Sequence, residues 1–243
     1  MPVIRDFEVG GIYHIFNRGW GKKNIFLDET DFLRFIVSLY WFNNDNNIII
    51  DDLTSEDRNF ITASGSTAGN YANNSRNIKN HKPVVEILAF TLMTNHYHLV
   101  VREITLGGVS LFMQKLGGGY TGYFNEKHNK KGYGGIFQGR YKSVRIESDG
   151  QLIAIFNYVH TNPIGLVEPM WKDFIVKNKS ESLNFLKNYR WSSYNDYIGK
   201  PTFPHVIQGD FYNDILGGSK RCERAVKDWI DFKANKNLLR ADL

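Results

Sequence analysis

Val84-Val85-Glu86-Ile87-Leu88-Ala89-Phe90 and Leu92-Met93-Thr94-Asn95-His96-Tyr97-His98-Leu99-Val100-Val101 carry the reading on which the fold turns. Both runs are apolar and β-prone, and the Thr94-Asn95 step reads as a tight hairpin turn between two strands. Side chains alternate along a strand, so His96 and His98 project to one face and Tyr97 to the other. Two imidazoles on one face can hold one metal ion. Satisfied structural histidines are the alternative, and the pair alone does not decide between them.

Upstream, Gly11-Ile12-Tyr13-His14-Ile15-Phe16 alternates as a strand that ends at Asn17-Arg18-Gly19. Residues 28–40 follow with Asp28 as N-cap candidate, acidic residues in the first turn and apolar positions at helical spacing. Downstream of the hairpin, Leu111, Phe112, Leu116, Tyr120, Tyr123 and Phe124 recur at helical spacing across 108–129. The three glycines at 117–119 predict a weakened or kinked helix there. Residues 142–147 alternate as a fourth strand, and Asp149 is a candidate cap for a helix from Gln151 to about Thr161, closed by Asn162-Pro163. The order is βαββαβ plus one helix, an α+β chain with a ferredoxin-like sheet and an added C-terminal helix bearing Tyr158. Fold alone names no function.

Residues 43–82 break the pattern with ten asparagines, many small polar residues and few large apolar groups apart from Ile48 to Ile50. Such a segment is expected to be a mobile surface insertion, because it offers little surface to bury against the cost of ordering. The domain proper is expected to span 8–199, with 200–243 as a partly helical extension.

With 243 residues and 42% hydrophobic content the chain can bury a full core. No apolar run is long enough to cross a bilayer, the opening residues 1–6 lack a signal pattern, and no membrane partner is expected. A single cysteine, Cys222, excludes an intramolecular disulfide and a cysteine metal site, in keeping with a reducing cytoplasm. The net charge of +5 favours a polyanionic partner, and 14% aromatic content suits base stacking, although most rings must be core.

Tyr158 and Asn162 stand four residues apart and share a helical face. A phenol and an amide oxygen so placed can serve one metal centre, the amide as third ligand and the phenol as nucleophile. A core tyrosine and a helix-closing asparagine are the plainer alternative. Arg140, Lys142 and Arg145, beside Phe137 and Tyr141, form the best local cluster for gripping a phosphate backbone, with Arg18 a further candidate. A solvated basic strand edge accounts for them nearly as well. His14 reads as packed rather than ligating.

Taken together, His96-Tyr97-His98, Asn157-Tyr158-Val159-His160-Thr161-Asn162-Pro163, Tyr13-His14-Ile15-Phe16-Asn17-Arg18-Gly19, Phe137-Gln138-Gly139-Arg140-Tyr141-Lys142-Ser143 and Tyr189-Arg190-Trp191-Ser192-Ser193-Tyr194 resemble the HUH single-strand transposases with one catalytic tyrosine. Within them the branch of REP-associated tyrosine transposases is most similar, over about residues 8 to 199. Two features depart from the family pattern: the 43–82 segment is longer than the usual link, and the tail beyond Gly199 matches nothing assignable.

The resemblance implies a metal-dependent DNA-strand transferase acting on single-stranded DNA, often as a hairpin, with His96, His98 and Asn162 on the metal and Tyr158 as nucleophile. The expected ion is Mg²⁺ or Mn²⁺, since two imidazoles, one amide oxygen and open positions suit mixed nitrogen and oxygen coordination. Attack by Tyr158 gives a 5′-phosphotyrosine and a free 3′-hydroxyl, and a second 3′-hydroxyl can then rejoin the strand without a nucleotide cofactor. Tyr120 and Tyr123 are rival nucleophiles, but they lack an amide four residues on and fit an apolar stripe. His160 lies off the Tyr158 face. A non-catalytic single-strand-binding module, a water-using metal nuclease and a homodimer that shares its tyrosine helices all remain open to sequence.

Overall fold

The computed structural model describes residues 7–241 except 131 and 133, with backbone alone for 236–241. Residues 1–6, in whose sequence no signal pattern is read, lie outside the described part. Among the described residues no helix is long and apolar enough to cross a membrane.

Strand β1 (Ile12–Arg18) leads into helix α1 (Glu29–Trp41), whose N-cap Asp28 accepts from the Asp31 backbone N–H. Helices α2 (Ser55–Phe60), α3 (Gly65–Asn74) and α4 (Arg76–Lys79) come next. Strands β2 (Val85–Met93) and β3 (His96–Glu103) form the hairpin and turn at 94–95. Helix α5 (Gly108–Lys127), strand β4 (Lys142–Ile146) and helix α6 (Asp149–Thr161) complete the pattern. Ser148 rather than Asp149 caps α6, its side chain accepting from the Gln151 N–H.

The sheet order is β2-β3-β1-β4 and every neighbouring pair is antiparallel. That is the arrangement a βαββαβ chain reaches when each helix crosses over one intervening strand, so the fold is ferredoxin-like α+β. Helices α1 and α5 cover the face carrying Tyr97, where the Phe35 ring lies 5.0 Å from Tyr97 and 4.9 Å from Tyr120. Each large ring buried there contributes roughly 1.5–3 kcal/mol. Helix α6 lies across the opposite face, above the histidines.

Two expectations change. Helix α5 runs through its glycines without interruption, because Gly119 is a packing position: a Cβ there would lie 2.4 Å from the Phe42 ring. The glycines lower the helix propensity of α5, and close approach of Phe42 compensates.

Residues 43–82, expected as a mobile insertion, are instead folded and joined to the core. Ile50, Leu53 and Ile61 enter the main core, while Phe60, Ala63 and Ala68 make a small one beside Tyr40 and Tyr71. The polar residues are structural. Asn43 accepts from the Val84 and Val85 N–H groups and donates to the Val85 carbonyl, fixing the start of β2. Buried Asp57 accepts from Ser75 Oγ, from Asn77 Nδ2 at 2.8 Å and from the Thr54 N–H at 3.1 Å.

Beyond the sheet, helices α7 (Lys179–Asn188), α8 (Tyr194–Tyr197), α9 (Asp210–Leu216) and α10 (Ser219–Ala241) close the chain. Phe203, Ile207, Tyr212, Cys222, Val226 and Ile230 from the 200–243 segment are buried in the same core as the sheet.

Candidate metal and tyrosine site

On the face away from α1 and α5, β3 presents His96 and His98, and α6 brings Tyr158 and Asn162 over them. Asn162 Oδ1 lies 3.2 Å from His96 Nε2, and Asn162 Nδ2 lies 3.4 Å from His98 Nε2. The amide therefore sits between the two imidazoles. The Tyr158 ring meets His98 edge-on with centroids 5.2 Å apart and is 41% exposed, so it borders the site without being sealed in the core. The alternation of β3 groups the two histidines, the one-turn spacing groups Tyr158 with Asn162, and the packing of α6 on the sheet brings the two pairs together.

Hydrogen bonds hold both rings in place. His98 bonds through Nε2 with the Asn162 amide and through Nδ1 with His14 Nε2 at 2.9 Å. His96 Nδ1 donates to Asn95 Oδ1 at 2.6 Å, and that oxygen's orientation is set because Asn95 Nδ2 donates to the Lys22 carbonyl. Burial lowers the pKa of His96, and lowers that of His98 well below the ordinary range. Neutral rings carry one N–H each. The Asn162 side chain lies within hydrogen-bond reach of both Nε2 atoms, so the three groups are close enough to share one cation. The donor set of two imidazole nitrogens and one amide oxygen fits Mg²⁺ or Mn²⁺ with positions left for water and phosphate. Among the described residues no group of three or more His, Cys, Asp or Glu side chains gathers as a metal site.

Burial raises the Tyr158 pKa and a hydrogen bond with Asn162 partly offsets this. Tyr120 and Tyr123 are placed elsewhere: the Tyr120 hydroxyl donates to the Ile25 carbonyl at 2.6 Å, and Tyr123 donates to Asp31 Oδ1 at 3.0 Å. His160 is buried against Ser193 Oγ at 2.8 Å.

The site opens into a cleft of about 510 Å³ whose walls carry Arg18, Lys22, Arg140, Lys142 and Lys172. Arg18 is held by Gln138 through a side-chain hydrogen bond. Arg145 is not among these cations. It pairs with Tyr13 in the sheet register where Lys142 pairs with Phe16, so alternation sends it to the opposite face, and it binds Glu8 Oε2 at 2.7 Å. The sequence cluster of three cations is split by the strand that carries it.

Four contributors escaped sequence reasoning: Lys22 and Lys172 on the cleft wall, Asn95 behind His96, and His14 as the partner of His98. Lys172 lies on a short 3-10 turn (Trp171–Asp173) and has no local signal. His14 has one only in retrospect, since strand register is needed to set it diagonal to His98.

Residues 54–162 match the model of a family described as "Transposase IS200 like". The matched span includes the hairpin, α5, β4 and α6, and with them His96, His98, Tyr158 and Asn162; His14, Arg18 and Lys172 lie outside it. No curated protein matches the chain. A solved structure described as "Structure of the REP associates tyrosine transposase bound to a REP hairpin" is similar at 13% identity, covering 86% of this chain and 92% of that chain, with a TM-score of 0.43.

Proposed function

We propose that this chain, an IS200-like transposase across residues 54–162, cleaves and rejoins single-stranded DNA with Tyr158 as nucleophile and a divalent metal held by His96, His98 and Asn162. The observation that carries the reading is the placement of Asn162 between His96 Nε2 and His98 Nε2 while Tyr158, one turn away, borders the same cleft. A bound Mg²⁺ or Mn²⁺ supplies Lewis-acid stabilisation of phosphate charge.

The remaining work falls to the protein's own groups. Arg18, Lys22, Arg140, Lys142 and Lys172 attract and seat the phosphate backbone, which every sequence shares. Tyr158 Oη attacks phosphorus, a Tyr–O–P bond forms and the P–O3′ bond breaks. The phenol's proton ends on the leaving 3′-oxygen, which departs as a hydroxyl. The phosphodiester's free energy is kept in the 5′-phosphotyrosine, and a second 3′-hydroxyl reverses the step to join strands. A hairpin-borne single strand as substrate and a cytoplasmic setting belong to the same proposal.

The test is a denaturing gel of end-labelled single-stranded and hairpin DNA after incubation with protein and Mg²⁺ or Mn²⁺. A protein-linked band is expected for the wild type, Tyr120→Phe and Tyr123→Phe, and none for Tyr158→Phe. Tyr158→Phe removes one oxygen and leaves ring and helix propensity intact. A band that persists in Tyr158→Phe would overturn the nucleophile, and cleavage with no linked band in any variant would favour a nuclease that uses water.

A further inference from the structure

Trp20 is 65% exposed, although the turn that carries it is pinned by backbone hydrogen bonds on both sides. Gly19 N–H donates to the Asn95 carbonyl at 2.8 Å and Trp20 N–H to the Ile136 carbonyl at 2.9 Å. The turn closes on itself through Lys22 N–H to Gly19 and Lys23 N–H to Trp20. It is tight enough that a Cβ on Gly19 would lie 2.1 Å from the Lys23 carbonyl oxygen. Gly21 and Lys22 both adopt left-handed backbone, with φ of 59° and 62°. For lysine that conformation is unfavourable and persists only where the surroundings impose it.

The turn is tied to the metal-ligand candidates by one side chain. Asn95 donates to the Lys22 carbonyl at 3.2 Å and accepts from His96 Nδ1 at 2.6 Å, so Trp20 stands in a fixed relation to His96. On one side of the turn Lys22 lines the cleft beside the histidines. On the other, Trp20, Lys23, Phe124 and Lys130 line a pocket of about 280 Å³, with no carboxylate among the described residues around it. Lys130 Nζ lies 4.9 Å from the centre of the Phe124 ring.

A flat indole held toward solvent costs hydrophobic free energy in the unbound protein, and among the described residues its only charged neighbours in that pocket are cations. Rings for stacking with cations beside them are the chemistry that grips single-stranded nucleic acid: bases stack and phosphates pair. We propose that Trp20 is a stacking platform for an unpaired base of the strand that runs out of the cleft over the 19–23 turn, with Lys22, Lys23 and Lys130 meeting its phosphates. This rests on the reading of the cleft as a single-strand site. Trp20 is a positioning residue and takes no part in bond making.

The experiment compares the full-length wild type, Trp20→Ala and Trp20→Phe for binding of a labelled thymidine 20-mer and of an abasic 20-mer with the same phosphates. Trp20→Ala should bind the thymidine strand about tenfold more weakly and the abasic strand as the wild type does, with Trp20→Phe recovering most of the loss. Tryptophan emission should be quenched by the thymidine strand in the wild type and much less in Trp20→Phe. Folding is not at stake, because the indole is largely in solvent. Equal thymidine-strand affinity for the wild type and Trp20→Ala overturns the proposal and leaves the cleft reading intact. Failure of the wild type to bind the thymidine strand overturns both.

Discussion

His14 Nε2 and His98 Nδ1 share a hydrogen bond of 2.9 Å, and this bond ties the first strand to the histidine pair of the third. It holds the His98 ring with Nε2 toward Asn162. Partners of this kind set ligand tautomer and orientation, and their loss commonly costs about 10- to 100-fold in metal affinity. His14→Phe keeps an aromatic ring beside Phe16 and removes the hydrogen-bond partner of His98. We expect Mn²⁺ binding, followed by loss of the free-ion paramagnetic signal, to weaken by about that factor while the thermal midpoint moves little. Unchanged affinity would show that His98 is oriented without His14.

Lys142 and Arg145 belong to one strand and to different faces, so their contributions to DNA binding should differ. Removing a cation that neutralises one phosphate of single-stranded DNA reduces the salt slope of binding by about 0.7. Arg140→Ala and Lys142→Ala should each flatten the dependence of log K on log salt by about this amount, and Lys172→Ala likewise. Arg145→Ala should leave the slope alone, since its guanidinium is engaged by Glu8. The reverse result would place the DNA on the opposite face of the sheet.

What sequence made legible was whatever a single element encodes. The hairpin, the capped first helix and the tyrosine helix each carry their period and their ends in a short run, and so do the His96–His98 and Tyr158–Asn162 pairs. What it hid depends on tertiary register. His14 acquires its partner only when β1 is laid beside β3, and Lys172 reaches the cleft only by a turn after α6. The 43–82 segment defeats a reading by composition because its asparagines and serines resemble solvated loop residues, whereas Asn43, Thr54 and Ser75 serve as backbone pins and helix caps.

Asp57 should therefore control the order of that segment. Its carboxylate receives Ser75, Asn77 and the Thr54 N–H in a site closed to solvent, and removing it leaves those donors unpaired. A buried donor left without a partner costs about 1–3 kcal/mol. Asp57→Ala is expected to make 54–80 sensitive to limited proteolysis and to lower the urea midpoint, with β2 and β3 amides still protected from hydrogen exchange. Unaltered proteolysis would mean that the small core around Phe60 holds the segment by itself.

His160 fastens the tyrosine helix to the sheet and should give the fold an acid limit. Its Nε2 lies 2.8 Å from Ser193 Oγ, and Ser193 in turn accepts the Phe90 N–H of β2 at 2.9 Å. Burial pushes the folded pKa of His160 down to about 3 from an ordinary 6.5. Below pH 6.5 the unfolded chain takes up a proton that the folded chain refuses, so this stability is full above 6.5 and is lost as pH falls toward 3. Between pH 8 and pH 5 the difference amounts to about 2 kcal/mol. Urea unfolding across that range should show the wild type losing stability faster than His160→Gln, which does not titrate, even though the variant starts lower at pH 8. Parallel curves would mean that the imidazole is already free to ionise in the folded protein. If the curves converge as expected, the His160–Ser193 contact is the joint through which acid lowers the stability of the fold, while the folded protein keeps His160 neutral down to about pH 3.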